Sequence, residues 1–316
     1  MIRIRNMLAL AAAILGLAAT PLAAQSYPER PISMIIPLGA GGSHDLNARV
    51  ITSVLPEYLG QPVVVQLMPG AGGQTGTAAA AQAQPDGYTL LFTHNFIDQL
   101  QQHVARLPYD PNKAFVTVAR VNTAQPVLVV RKDSPFKTWE ELVDYGKKNP
   151  GKLRFGHSGN WGAFMVPGLA LLKEVDVKAT LIPYQGGGPV MQALLAGDVD
   201  FTFAFPSVLS GQDLRPLLIV GEEKILEGVP TTTELGFTTV SEIGVMHRPV
   251  LAPAGIPEDR LKKLREAFSK LNENKVYKEL MDRLGENTAY MDGEKYDELR
   301  RRQSEEYKAL VASFKE

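Results

Sequence analysis

A strand, a glycine-rich turn and a helix start follow one another within Ser33–Val50, and this constrains the fold more than any other feature. Ser33-Met34-Ile35-Ile36 reads as a buried β-strand that Pro37 ends. Gly39, Gly41 and Gly42 form a loop with small steric demands, and Ser43, His44 and Asp45 lead into the helical run Leu46–Val50. In α/β proteins such a unit forms one half of a ligand crevice, and the N–H groups at the helix start favour an anion. The same residues also suit an ordinary tight βα turn, and the local pattern leaves both readings open.

The rest of the chain repeats the design. Val63–Val65 is a short β-branched strand before a second glycine loop, Pro69–Gly73, and Thr75–Gln84 reads as an alanine-rich helix. Asp86-Gly87 turns the chain into the strand Tyr88–Thr93, with His94 and Asn95 just past its carboxyl end. The first hundred residues thus alternate strand and helix, as a parallel sheet requires. About 120 residues after the opening stretch, the strand Leu153–Phe155 runs through Gly156-His157-Ser158-Gly159-Asn160-Trp161-Gly162 into a helix over 163–173. Ala179–Tyr184 is a strand ending in Gln185-Gly186-Gly187-Gly188, and Val199–Phe203 is a strand running into Phe205-Pro206. Leu261, Leu264, Phe268 and Leu271 recur at helical spacing in a charged C-terminal segment, so they face a core while the charges face water. Two sets of βα units imply two lobes: 27–123 with 248–316, and 124–247.

Residues 1–24 have the form of a secretory signal. Arg3 and Arg5 precede the apolar run Leu8–Ala19, and small residues up to Ala24 suit cleavage there. The chain carries no cysteine, which excludes disulfides, thiolate metal ligands and a thiol nucleophile. A formal net charge of −1 gives no field for nucleic acid. The expected location is the periplasm, as a soluble monomer.

Catalytic and cofactor motifs are mostly missing. The loop Gly39–Ser43 lacks the Gly-Lys-Ser/Thr ending of a phosphate loop and the spacing of a dinucleotide loop. Gly156–Asn160 resembles a nucleophile elbow around Ser158, but Asn160 stands where the last glycine belongs. No cofactor or metal is expected. His44, His94, His157 and His247 fall on loops, the first three at strand carboxyl ends. They either converge in one cleft, as anion donors or a metal site, or stay separate polar loop residues. Phe92, Phe96, Trp161, Phe164, Phe203 and Phe205 gather near the same loops, and Trp161 is the one placed inside a glycine turn.

Taken together, these motifs resemble the periplasmic solute-binding proteins of tripartite tricarboxylate transporters, the Bug family. The resemblance runs through Tyr27–Pro31, Pro37–Asp45, Leu59–Val65, Pro69–Gly73, Pro85–Leu91, Asp133–Thr138, Asn149–Leu153, Pro183–Gly187 and Ala252–Pro257. It implies an α/β, two-lobed, type II-like binding fold, with a parallel-rich sheet flanked by helices in each lobe and the ligand cleft between them. It also implies capture of a small organic carboxylate by hinge closure, and delivery to the membrane components of the transporter. The gripping loops would be Leu38, Gly39, Ala40, Gly41, Gly42, Ser43, His44 and Asp45 on one side. His157, Ser158, Gly159, Asn160, Trp161, Gly162, Ala163 and Phe164 would lie on the other. Gly73, Thr75, His94, Asn95, Tyr184, Gly186, Phe205 and His247 complete the candidate set.

Departures from the family pattern carry information. Leu38-Gly39-Ala40 replaces the usual Phe-Pro-Pro, Gly162–Met165 lacks the usual hydroxyls and histidine, and Ala204 stands where an acid is common. Fewer polar side chains near the pocket favour an aromatic or longer aliphatic acid over citrate or an amino acid. Two other functions fit the same residues: a ligand-loaded sensor subunit for a membrane receptor kinase, and an α/β hydrolase using Ser158.

Overall fold

The computed structural model describes residues 27–184, 186–209 and 211–314; the signal segment 1–24 lies outside the described residues. One sheet has six strands. β1 (Ile32–Ile36) pairs in parallel with β2 (Val63–Leu67) and with β3 (Thr89–Phe92). β10 (Met246–Pro253) pairs antiparallel with β3 and with β4 (Phe115–Ala124), and β11 (Met291–Asp292) edges β4. The sheet is parallel where βα units lay it down and antiparallel where the chain returns.

The second sheet system joins β5 (Val127–Arg131) antiparallel to β8 (Thr202–Ala204) and β9 (Leu214–Ile219). Beside it, β6 (Leu153–His157) pairs in parallel with β7 (Ala179–Pro183), and a parallel bridge from Phe155 to Phe201 ties the two pieces. Phe155 stacks on Phe201 with centroids 4.9 Å apart and meets Phe203 edge-on. All three are buried, each contributing about 1.5–3 kcal/mol through apolar burial.

β4 passes through Gln125 and Pro126 into β5, and β10 returns beside it, with Met246 opposite Ala124 and His247 opposite Thr123. The two connections between the sheet systems therefore lie side by side. The segment before Phe115 contains the short helix Pro111–Ala114, and the ten-residue strand β4 follows it. The helix Thr238–Gly244 and a π-helical turn, Phe96–Leu100, were also not evident in the sequence. Leu261, Leu264, Phe268 and Leu271 on the helix Glu258–Glu273 are buried, as their spacing requires. Among the described residues no helix is long and apolar enough to cross a membrane.

Candidate functional site

The carboxyl ends of β1, β3, β6 and β8 face one cavity of about 560 Å³, within the range of small-ligand sites. At the end of β1 the loop reverses through Gly41, whose φ of +75° favours glycine. The Gly41 N–H donates to Asp45 Oδ2 at 2.9 Å, and Arg49 Nε lies 3.0 Å from Asp45 Oδ1. Asp45 is buried by this work and does not line the cavity; its role is to fold the loop. Gly42 caps the helix Ser43–Val54 without any side-chain bond. The N–H groups of Ser43 and His44, both cavity residues, have no acceptor among the described residues.

Two further helix starts open onto the same space. The turn after β6 is held by His157, whose Nδ1–H donates to the Gly159 carbonyl at 3.0 Å, and by Gly162 N–H donating to that carbonyl at 3.3 Å. Ala163 and Phe164 N–H, at the entry to the helix Met165–Glu174, are left without acceptors among the described residues. Gly186 (φ +110°) precedes the helix Gly187–Ala196, again with no side-chain cap, and the N–H groups of Gly187 and Gly188 also have no acceptor among the described residues. Three helix N-termini thus share one cavity, where their partial positive charges add.

His94 accepts the Ile97 N–H at Nδ1 (3.3 Å), which places its proton on Nε2. His44 Nε2–H donates to the Thr93 carbonyl at 3.2 Å, and the two rings lie 5.2 Å apart. Burial first, and then the Arg248 charge, lower His94 to about 3 and hold His44 well below its ordinary value. Both are neutral at pH 7. No Lys, Arg, Asp or Glu lines the cavity among the described residues. Phe164 and Phe205 form an aromatic wall with centroids 5.4 Å apart, joined by Leu38, Ile97, Val208 and Met246.

Of the other candidates, Gly39, Ala40, Ser158, Asn160 and Gly186 line the cavity, and eight residues do not. Besides Asp45 and His157, Asn95 takes the His247 N–H on Oδ1 and donates to the Val245 carbonyl and Tyr307 Oη, tying β10 to the C-terminal helix. His247 is half-buried beside Gln303 and Tyr296. Trp161 turns its ring onto Phe314, Tyr184 donates its N–H to the His157 carbonyl, and Thr75 lies exposed beside Gly70. Gly73 leaves room for the Ile97 side chain, which an added Cβ would overlap. The four histidines therefore divide: His44 and His94 meet, while His157 and His247 stay apart from the cavity.

Ser158 Oγ has no hydrogen bond to a histidine among the described residues, so the elbow-like segment lacks the nucleophile–base pair that acyl transfer needs. Sequence reasoning missed Gly72, Ile97, Gln101, Gly187, Gly188, Pro189, Met191, Gln192, Leu195, Val208, Gln212 and Met246. Gly188, Met191, Gln192 and Leu195 recur at helical spacing, with Leu195 39% exposed; that stripe was a legible signal. Ile97 and Gln101 depend on the π turn and gave none.

Two sheet systems joined by paired strands, with a ligand-sized cavity between their loops, define the periplasmic binding protein class. The chain belongs to the tripartite tricarboxylate transporter family of receptors, whose family model matches residues 47–315. It is 35% identical to the UPF0065 protein in the gbd 5′ region of Cupriavidus necator, covering 96% of this chain and 94% of that one. The periplasmic binding protein BugD superposes with a TM-score of 0.82 at 27% identity, over 91% of this chain and 98% of its own. MatC from Rhodopseudomonas palustris, solved with bound malate, superposes with a TM-score of 0.79 at 27% identity, over 90% and 100%.

Proposed function

We propose that this receptor works in the periplasm, captures a small organic carboxylate bearing a substantial apolar part, and hands it to the membrane components of its transporter. The observation that carries this is the convergence of three helix N-termini without side-chain caps on a cavity lined by no charged side chain among the described residues. A desolvated carboxylate needs several donors, and backbone N–H groups supply them without a competing ion pair. Bound malate in the related MatC agrees with an acid. The Phe164–Phe205 wall favours an aromatic or longer aliphatic chain over citrate or an amino acid, and Ala204, fully buried, offers no counter-charge for an ammonium group.

Capture proceeds by closure of two lobes, 27–123 with 248–316 and 124–247, turning where β4 and β10 run side by side. Ligand favours the closed form only by touching both lobes. A thermal-shift screen over carboxylic acids tests the reading. An acid at a hundredfold excess over its dissociation constant adds about 2.7 kcal/mol. Stabilisation by citrate and by no aromatic or aliphatic acid rejects the apolar preference; no response to any acid rejects the carboxylate class.

Gly41→Val should lower affinity for the best acid at least about tenfold while leaving the fold intact. A β-branched residue at φ +75° costs about 1–2 kcal/mol locally, and relief of that strain moves the donors of Ser43 and His44. Calorimetric titration with circular dichroism as the folding control checks this; unchanged affinity removes the loop from the site.

A further inference from the structure

One cation lies directly behind the cavity wall. Arg248 on β10 is fully buried and pairs with Glu286, which follows the helix Lys275–Arg283, at 2.6 and 3.3 Å. Its Nη2–H donates to Ser43 Oγ at 2.9 Å, and Nη1 lies 3.5 Å from Asn47 Oδ1. Its Nε has no acceptor among the described residues although it is buried. The guanidinium carbon is 5.6 Å from the centroid of the Phe205 ring. Ser43 follows β1 and Phe205 follows β8, and both line the cavity, so Arg248 touches the wall contributed by each sheet system.

We infer that Arg248 is a positioning residue that makes this cavity select an anion, acting through the Ser43 hydroxyl; the inference rests on the carboxylate reading above. The Arg248 N–H occupies a lone pair of Ser43 Oγ. The hydroxyl proton has no acceptor among the described residues, so it is free to donate into the cavity. A cation on the oxygen polarises that O–H and strengthens its bond to a carboxylate. The donor stands beside the open N–H groups of Ser43 and His44, and near neutral His94. Glu286 holds the guanidinium in place through the buried ion pair and does not itself line the cavity. An arginine suits this post, because its planar fork can serve Glu286, Ser43 and Asn47 at once.

The test compares an acid with its uncharged amide. Adipate, benzoate and malate, each beside the corresponding amide, are titrated calorimetrically into wild type, Ser43→Ala, and the double variant Arg248→Met/Glu286→Leu, which leaves no orphaned buried charge. Binding of at least one acid by wild type supports the carboxylate reading; binding of none rejects that reading and this inference with it. For the acid that binds, Ser43→Ala and the double variant should each weaken the acid about tenfold or more, the loss expected for one hydrogen bond to a charged group, and the amide less than about threefold. A variant that keeps wild-type affinity for the acid, or that weakens acid and amide by the same factor, overturns the role of Arg248 while the carboxylate reading stands. Should the double variant not fold, Ser43→Ala decides alone, since it changes one cavity-wall hydroxyl.

Discussion

Lowering the pH from 7 to 5 is expected to cost the protein about 4 kcal/mol of stability through His94 and His247 alone. Burial, then the Arg248 charge, takes His94 to about 3; burial, then the Arg120 charge, takes His247 to about 3. In the unfolded chain each titrates near 6.5. Below that value the unfolded state binds a proton that the folded state refuses, so stability is complete above pH 6.5 and is lost as pH falls from 6.5 toward 3. Each pH unit in that window costs about 1.4 kcal/mol per histidine. His44, His157 and His103 are also lowered and act with the same sign. Against a typical total of about 5–15 kcal/mol, the effect is large. Denaturant midpoints at pH 7, 6 and 5 measure it, and a flat profile would show that these imidazoles are protonated in the folded protein. Replacing His247 by Asn should remove its own share of the slope, about 1.4 kcal/mol per pH unit, while leaving the cavity lining unchanged.

Asp98→Asn should cost about 3–5 kcal/mol of stability although it lies outside the cavity. Asp98 and Arg300 are both buried, and their bidentate pair spans 2.6 and 2.7 Å. Burial alone would lower the Arg300 guanidinium; the Asp98 carboxylate more than reverses that and holds it above its ordinary value. Removing one partner leaves a buried cation, which is costly where removing both is not. Asp297, 3.1 Å from Arg300 Nη1, places the loss toward the low end. The rescue variant Asp98→Leu/Arg300→Met should recover most of the stability, and a loss under about 1 kcal/mol for Asp98→Asn would refute the account. Binding should weaken too, because Asp98 sits in the π turn between His94 and Gln101 and its pairing with the C-terminal helix steadies Ile97 at the cavity.

Much of the framework was written locally. The βα alternation, the turns at Leu38–Gly42 and Ser158–Phe164, and the stripe Leu261, Leu264, Phe268, Leu271 each depend on residues a few positions apart. Periodicity and glycine report such neighbours directly. The same locality explains what the glycine turns could not reveal. Within Gly39–Asp45, nothing in the pattern separates Ser43, which meets the cavity, from Asp45, which spends its carboxylate on Gly41. The four loop histidines looked equivalent as well, and their separation came from long-range partners: Thr93 for His44, Gln303 and Tyr296 for His247.

The sequence by itself determined the α/β class, the two glycine turns and the family, because each follows from short-range spacing or from the order of motifs. Only the tertiary structure decided the chemistry behind the wall. Arg248 reaches Ser43 across 205 positions and Glu286 across 38, and Arg300 reaches Asp98 across 202. Such pairs form when sheet order and helix packing bring distant segments together, and a buried charge then takes whatever partner the fold supplies.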